Sequence, residues 1–461
     1  MKKTISLSLL AIGFLAVLAY SQSQDRIVIS IIGGEKKKIA LPDFRGAGGA
    51  TPLVDTFNQT VFDDIQRSGL FDMASKSFYP LNPPQQESDL RPTPTPAPVR
   101  RGEQPAAPNC GGRCLSDWSG APVSAGYLGF GYAAEQGGQL VVFGHLYNVA
   151  VPDIAGAKLF RKLYNAPLTA DGARKLGHDY AADILAQFGA PSLAGSKIYF
   201  ISTRSGSKEI WSMDFDGSNQ QQITSFRSIT TFPAISPDGR RLAFTTYAKG
   251  QPRIMVYSTE TKRFIPFLNP EAPMNATPSF TPDGQHILFS SSISGFSQIY
   301  IADLDGRNLK RLSNSRAIEV EAKVNPKTGT DMVFVSGRGG LQQIYRMNMD
   351  GADPMRLTTG EGEASNPAWH PDGKAIAFAW TRGFAPGNWN IFLMDVASRE
   401  TVQLTHGQGR NENPGWGPDG RHLVFSSNRA GGSQIFTMLA DGTEVKQLTT
   451  QGQNEKPVWT K

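Results

Sequence analysis

The residues best suited to chemistry in this chain are six histidines, at positions 145, 178, 286, 370, 406 and 422, two cysteines, and the acidic pairs of Asp214-Phe215-Asp216-Gly217 and Asp303-Leu304-Asp305-Gly306. The histidines share no metal-ligand spacing. Neither the Gly-x-Ser-x-Gly turn that exposes a serine nucleophile nor the His-Glu-x-x-His helix that holds zinc occurs. Both acidic pairs open like a calcium loop but lack its later glutamate, so they read as hairpin turns. The glycine-rich stretch 126–138 does not lead from a strand into a helix and is no phosphate cradle. Cys110 and Cys114 stand as Cys-Gly-Gly-Arg-Cys. In an oxidising compartment that spacing favours a local disulfide over two free thiols, and no histidine lies near to complete a metal site. The expectation is a chain with no catalytic residue, no cofactor and no metal.

What remains is a recurrent phrase and the loops it presents. Pro233-Ala-Ile-Ser-Pro237-Asp238-Gly239 recurs from Pro278, Pro367 and Pro414, and a degenerate copy runs through Lys323-Val324-Asn325-Pro326. The repeat is about 45 residues, the length of a four-stranded propeller blade. In each copy the aromatic or Ile plugs the space between blades, Pro-Asp-Gly turns a hairpin, and an alternating strand such as Leu423-Val424-Phe425 follows. Residues 195–224 hold strands two to four of a blade without its opening phrase, and Pro457-Val458-Trp459 is that phrase with nothing after it. One blade is therefore expected to draw on both ends of the region, making six and leaving no long open sheet edge.

In such a ring the loops between blades and the loops joining strands two and three emerge on one face. The first set brings Phe232, Thr277, Glu319, Asn366, Asn413 and Glu455 to the centre of a mouth, and the second brings Arg204, Lys249, Arg338, Arg382 and Arg429 to its rim. A mainly polar, basic mouth suits a partner carrying acidic groups. The alternative is that these side chains satisfy turn carbonyls and solvent.

Upstream, Lys2 and Lys3, an apolar run and Ala19-Tyr20-Ser21 have the anatomy of a cleavable export signal at 1–21. Residues 22–192 read as a small α/β domain. Thr51 caps a helix carrying Val54, Phe57, Val61 and Ile65, strands lie at 139–147 and 157–164, and a second helix presents Ala173, Leu176, Tyr180, Ile184 and Phe188. A Pro-rich flexible insertion occupies about 80–117. The fold class is thus mainly β: a six-bladed β-propeller at 193–461, closed by a strand at 457–461, behind an α/β domain. The formal net charge of +6 falls to +4 without Lys2 and Lys3. The basic residues are scattered, which argues against nucleic acid, and no later apolar run is long enough to embed in a membrane.

Asp64-Ile65-Gln66-Arg67-Ser68-Gly69-Leu70-Phe71 ahead of a six-bladed ring ending in Pro457-Val458-Trp459 resembles the TolB family over nearly the whole mature chain. Leu146-Tyr147-Asn148-Val149 and Gly177-His178 also stand where that family has related residues. Two features depart from it: Ala182 occupies a place usually acidic, with Asp183 next to it, and the Cys-bearing insertion is atypical. The resemblance implies a monomeric, non-enzymatic periplasmic scaffold of the Tol–Pal system that supports outer-membrane integrity and constriction during cell division. It implies that Asp25, Arg26, Ile27, Val28 and Ile29 engage a TolA-like inner-membrane protein, and that the mouth residues named above face a Pal-like outer-membrane lipoprotein. The rival readings are a propeller that accompanies a periplasmic hydrolase, for whose catalytic domain the chain has no room, and a small-molecule-binding propeller, which an aromatic-rich pocket at the ring centre would favour.

Overall fold

The computed structural model describes residues 33–94 and 110–461, so the export signal, the segment 25–29 and the Pro-rich core of the insertion lie outside the described residues. The chain divides into two compact units, Gly33–Ala194 and Gly195–Lys461. Among the described residues no helix is long and apolar enough to cross a membrane.

The first unit is built on strands β1 (Lys37–Ala40), β2 (Arg45–Ala47), β3 (Phe71–Met73), β4 (Tyr127–Gln136), β5 (Gln139–Asn148) and β6 (Lys158–Pro167), in the order β3-β1-β4-β5-β6 with β2 beside β4. Helices α1 (Val54–Arg67) and α2 (Ala170–Ala186) cover one face. Their buried residues include the expected Val54, Phe57, Val61, Ile65, Ala173, Leu176, Tyr180 and Ile184. Thr51 is not the cap of α1: a 3-10 turn at Gly48–Ala50 leads the chain in, Leu53 is the cap residue, and the Thr51 hydroxyl donates to the Gly46 carbonyl at 3.2 Å.

Most of the stretch 126–138 is β4, a long strand that the residue pattern does not announce. Alternation is hidden there because the positions facing the helices include Gly129 and Gly131, which make room for larger neighbours. A Cβ on Gly129 would stand 2.7 Å from the Tyr180 hydroxyl, and one on Gly131 would stand 1.9 Å from the Phe143 carbonyl oxygen. Tyr180 lies fully buried and donates to the His145 carbonyl at 2.7 Å.

The opposite face of the sheet is covered by the described flanks of the insertion, which are packed rather than flexible. Leu90, Leu115, Trp118 and Val123 form a second core with Leu128, Phe130 and Tyr147. Cys110 and Cys114 are disulfide-bonded, the Asp117 carboxylate accepts from the backbone N–H of Cys110 and Gly112, and Trp118 Nε1 donates to the Gly112 carbonyl at 2.8 Å. These anchors are single apolar residues spaced by prolines and turns, a pattern without period.

His145 on this face stacks on Phe130, with ring centroids 4.9 Å apart. Burial, opposed by Glu87 and aided by Arg161 and Lys158, pushes its pKa down to about 4. The fold therefore keeps the ring neutral where the unfolded chain protonates it, between about 4 and the usual ~6.5. Stability rises with pH across that window and is lost as pH falls through it, by about 3 kcal/mol from this residue. Urea unfolding between pH 7 and 4.5 should show a shallower pH slope in His145→Leu than in the parent. An identical slope would remove His145 as the source.

The second unit is six four-stranded antiparallel sheets. The inner strands of blades one to five are Thr230–Ile235, Asn275–Phe280, Glu319–Val324, Ala364–Trp369 and Asn411–Trp416. Blade six takes its inner strand, Asn454–Thr460, from the far end of the sequence and pairs it with Lys197–Ser202. The aromatic plugs also tie blade to blade: Trp369 Nε1 donates to the Lys323 carbonyl at 2.9 Å, and Trp416 Nε1 to the Ala368 carbonyl at 3.1 Å. His370 and His422 serve turns, the first bonding the Gly420 carbonyl and the second Asp419.

Candidate functional site: the propeller mouth and channel

Every inner strand carries the same irregularity. Its pairing with the second strand skips two residues, as between Thr231 and Ala234 in blade one. The first skipped residue is Phe232, Thr277, Glu321, Asn366, Asn413 or Lys456, and all six adopt left-handed backbone with φ between 51° and 59°. That region is unfavourable for residues other than glycine, and most of all for β-branched Thr277. Such strain persists where the surroundings impose it. Here they do: each bulge places one side chain on the channel of the ring, at a single level.

At that level the six residues form a belt. The Glu321 backbone N–H donates to Thr277 Oγ1 at 3.3 Å, the Asn366 N–H to Glu321 Oε2 at 2.8 Å, and the Asn413 N–H to Asn366 Oδ1 at 3.3 Å. The Asn366 side-chain amide donates to both Glu321 carboxylate oxygens. Lys456 Nζ then donates to Asn413 Oδ1 at 3.2 Å and sits 4.3 Å above the Phe232 ring. Phe232 offers no acceptor, and the Thr277 N–H turns instead to Thr245 Oγ1 at 3.2 Å. In blades two to five the preceding blade thus satisfies the bulged backbone N–H.

Four of the six residues that the sequence reading places at the centre of the mouth, Phe232, Thr277, Asn366 and Asn413, belong to this belt. Glu319 and Glu455 do not. The equivalent positions in their blades are Glu321 and Lys456, because the bulge falls directly before the proline or, in blade three, before Ala322 in the proline's place. Glu319 is fully buried at the start of its strand, and Glu455 pairs with Lys208.

The arginines are not a free rim. Arg338 pairs with Glu319 and lies over Phe334 and Tyr345. Arg204 bonds Ser202 and Asn454 and covers Trp211, and Arg429 bonds Ser427 and Asn411 and covers Phe425 and Phe436. Burial lowers the pKa of both Arg204 and Arg429. Each of these guanidiniums clamps the first residue of an inner strand to the last residue of the strand beside it. Arg382 is exposed above Trp380, and Lys249 is exposed.

The same loops carry apolar side chains that the sequence reading passes over. Ile229, Tyr247, Ile293, Phe296, Ile318 and Leu341 are 38–64% exposed. Ile229, Tyr247, Ile318 and Leu341 lie in inter-blade or second-to-third-strand loops, and Ile293 and Phe296 at the strand ends that flank such a loop, all in blades one to three and so on one face. Singly they look like ordinary loop residues; only the blade frame groups them into an arc.

Comparison with known proteins follows the same division of the chain. The family model described as the TolB beta propeller domain matches residues 189–383 and 359–461. A protein named TolB homolog from Chlorobium chlorochromatii is 39% identical over 140 residues, covering 30% of this chain and 30% of that protein. A Tol-Pal system protein TolB from Anaeromyxobacter dehalogenans is 29% identical over 268 residues, covering 58% of this chain and 54% of the relative. In sequence, then, the chain spans between about a third and a half of the length of these curated relatives. The crystal structure of TolB from Acinetobacter baumannii is similar over 93% of this chain and 97% of that one, with a TM-score of 0.70 at 25% identity.

Proposed function

Because this chain belongs to the TolB family, we propose that it is a non-catalytic periplasmic scaffold of the Tol–Pal system, joining TolA-like inner-membrane protein to a Pal-like outer-membrane lipoprotein and so supporting envelope integrity and constriction. The observation that carries this reading is the arc of exposed apolar residues on the mouth face of blades one to three. Contiguous exposed apolar surface marks a protein-docking face more often than scattered single residues do. In this reading the lipoprotein's anchoring contacts fall on Ile318, Leu341 and Phe296, beside the belt of Phe232, Thr277, Asn366 and Asn413. Of the basic residues, Arg382 and Lys249 remain available to steer an acidic partner, whereas Arg204, Arg338 and Arg429 hold the loops in shape. The segment 25–29, with alternating Arg26-Ile27-Val28-Ile29, is assigned to the inner-membrane partner by addition to a sheet edge.

Binding kinetics with the purified lipoprotein test the face. Ile318→Asp and Leu341→Asp should each weaken affinity by about tenfold or more, mainly through faster dissociation, because each removes an apolar anchor and buries a charge. Deletion of residues 22–32 should abolish TolA binding and leave the lipoprotein bound. Parental affinity in both aspartate variants would move the docking site off this face.

A further inference from the structure

We propose that the channel of the propeller is a binding site for a small oxyanion, a carboxylate or phosphate group, held by Lys323. Just below the belt the six inner strands place Ala234, Ser279, Lys323, Ala368, Gly415 and Val458 around a cavity of about 500 Å3. Five are small and the sixth is a long cation. The long one stands in the one copy of the repeat phrase that departs from the rest, with Ala322 where the other blades have proline.

The Lys323 ammonium has no hydrogen-bond or ion-pair partner among the described residues, although its backbone carbonyl is used by Trp369. The nearest carboxylate, Glu321, is turned away: both of its oxygens accept from Asn366 in the belt. On the cavity wall Lys323 and Lys456 stand against the single side-chain carboxylate of Glu321, and Lys461 carries both its ammonium and the terminal carboxylate, leaving positive charge in excess. A partly buried cation without a counter-ion is unfavourable, and a charge-assisted hydrogen bond donated by its ammonium to an oxyanion relieves it. Burial pushes the Lys323 pKa down, against the pull of Glu321 and together with Lys456. The remaining wall is mainly apolar, with Trp369, Trp416 and the prolines beside a few hydroxyls such as Ser236 and Ser279, so an anion with an apolar body fits better than a bare ion.

The cavity runs from the belt to Pro237, Pro326, Pro371 and Pro418 of the hairpin turns. The belt side chains are tied to one another at one end, so the ligand enters from the turn end, away from the proposed docking face. The two proposals stand or fall separately.

The test uses the full chain and three anions, inorganic phosphate, succinate and chloride, at one ionic strength. Phosphate or succinate should raise the thermal midpoint of the parent relative to chloride. Calorimetric affinity for the effective anion should fall about tenfold or more in Lys323→Met and persist in Lys323→Arg. Which anion acts distinguishes a phosphate from a carboxylate ligand. In chloride, Lys323→Met keeps the aliphatic stem and removes the uncompensated charge, so its midpoint should equal or exceed the parent's. A lower midpoint would make Lys323 a structural group and overturn the proposal. So would an absent response in the parent, or equal responses in parent and Lys323→Met.

Discussion

Removal of residues 457–461 is expected to lower the thermal unfolding midpoint by at least about 10 °C. Three effects add. Trp459 is only 7% exposed and its indole donates to Ser196 Oγ at 2.9 Å, so its loss alone is worth about 3–5 kcal/mol. The ladder pairing of Val458 with Tyr199, Trp459 with Ile198 and Thr460 with Lys197 disappears with it, at about 0.5–1.5 kcal/mol for each hydrogen bond. The strand Lys197–Ser202 then becomes an open edge, and an open edge also invites aggregation. For a unit of this size each kcal/mol shifts the midpoint by about 2–4 °C, which sets the expected drop. Circular dichroism melts should rank the parent highest, Trp459→Ala below it and the truncated protein lowest. A truncated protein melting within about 2 °C of the parent would mean that the ring does not depend on this strand.

The second large effect is at Glu319. Its carboxylate is fully buried, Oε1 accepts from Arg338 and Ser336, and Oε2 has no hydrogen-bond partner. Removing one partner of a buried ion pair leaves the other uncompensated, at about 3–5 kcal/mol. Glu319→Ala and Arg338→Ala should each destabilise by about that amount, and the double variant by clearly less than their sum. Glu319→Asn should be mild. Asn411 and Asn454 occupy the same position in blades five and six, where their side-chain oxygens accept from Arg429 at 2.7 Å and Arg204 at 3.1 Å. Urea unfolding of the four variants measures all of this. If Glu319→Ala unfolds at the parental midpoint, Arg338 is not held by the fold and regains its place as a steering charge on the rim.

The propeller is legible in the sequence because its repeat rests on local chemistry. Pro-Asp-Gly can make few other turns, and the plug aromatics recur with it. The bulge is not legible, since nothing in Phe232-Pro233 or Thr277-Pro278 announces left-handed backbone at a phenylalanine and a threonine. Its position in blade three is further hidden by the missing proline, so the sequence points to Glu319 where Glu321 stands. The basic rim fails for a different reason. A recurrent arginine in a surface loop looks the same in sequence whether it faces solvent or folds back onto its own blade's aromatics, and only the partner residues distinguish the two. In the first unit, the two helices follow from their apolar period, whereas β4 and the packed flanks of the insertion depend on close approach to Tyr180 and on isolated anchors such as Trp118. Neither leaves a period to read.

The belt bears on how this ring can change over generations. Six interchangeable blades could be duplicated, lost or reordered with little penalty, as in open solenoid arrays whose units meet only generic neighbours. Here four of the six blades offer their successor a specific acceptor from the belt: a hydroxyl from Thr277, a carboxylate from Glu321, an amide from Asn366 and another from Asn413. At the seam an ammonium meets an aromatic face, Lys456 on Phe232. Each blade therefore carries an address. A blade moved one place round would bring its bulge to an unmatched donor or acceptor, so drift at these six positions is expected to proceed by compensated pairs, and the order of the blades to outlast most of their sequence.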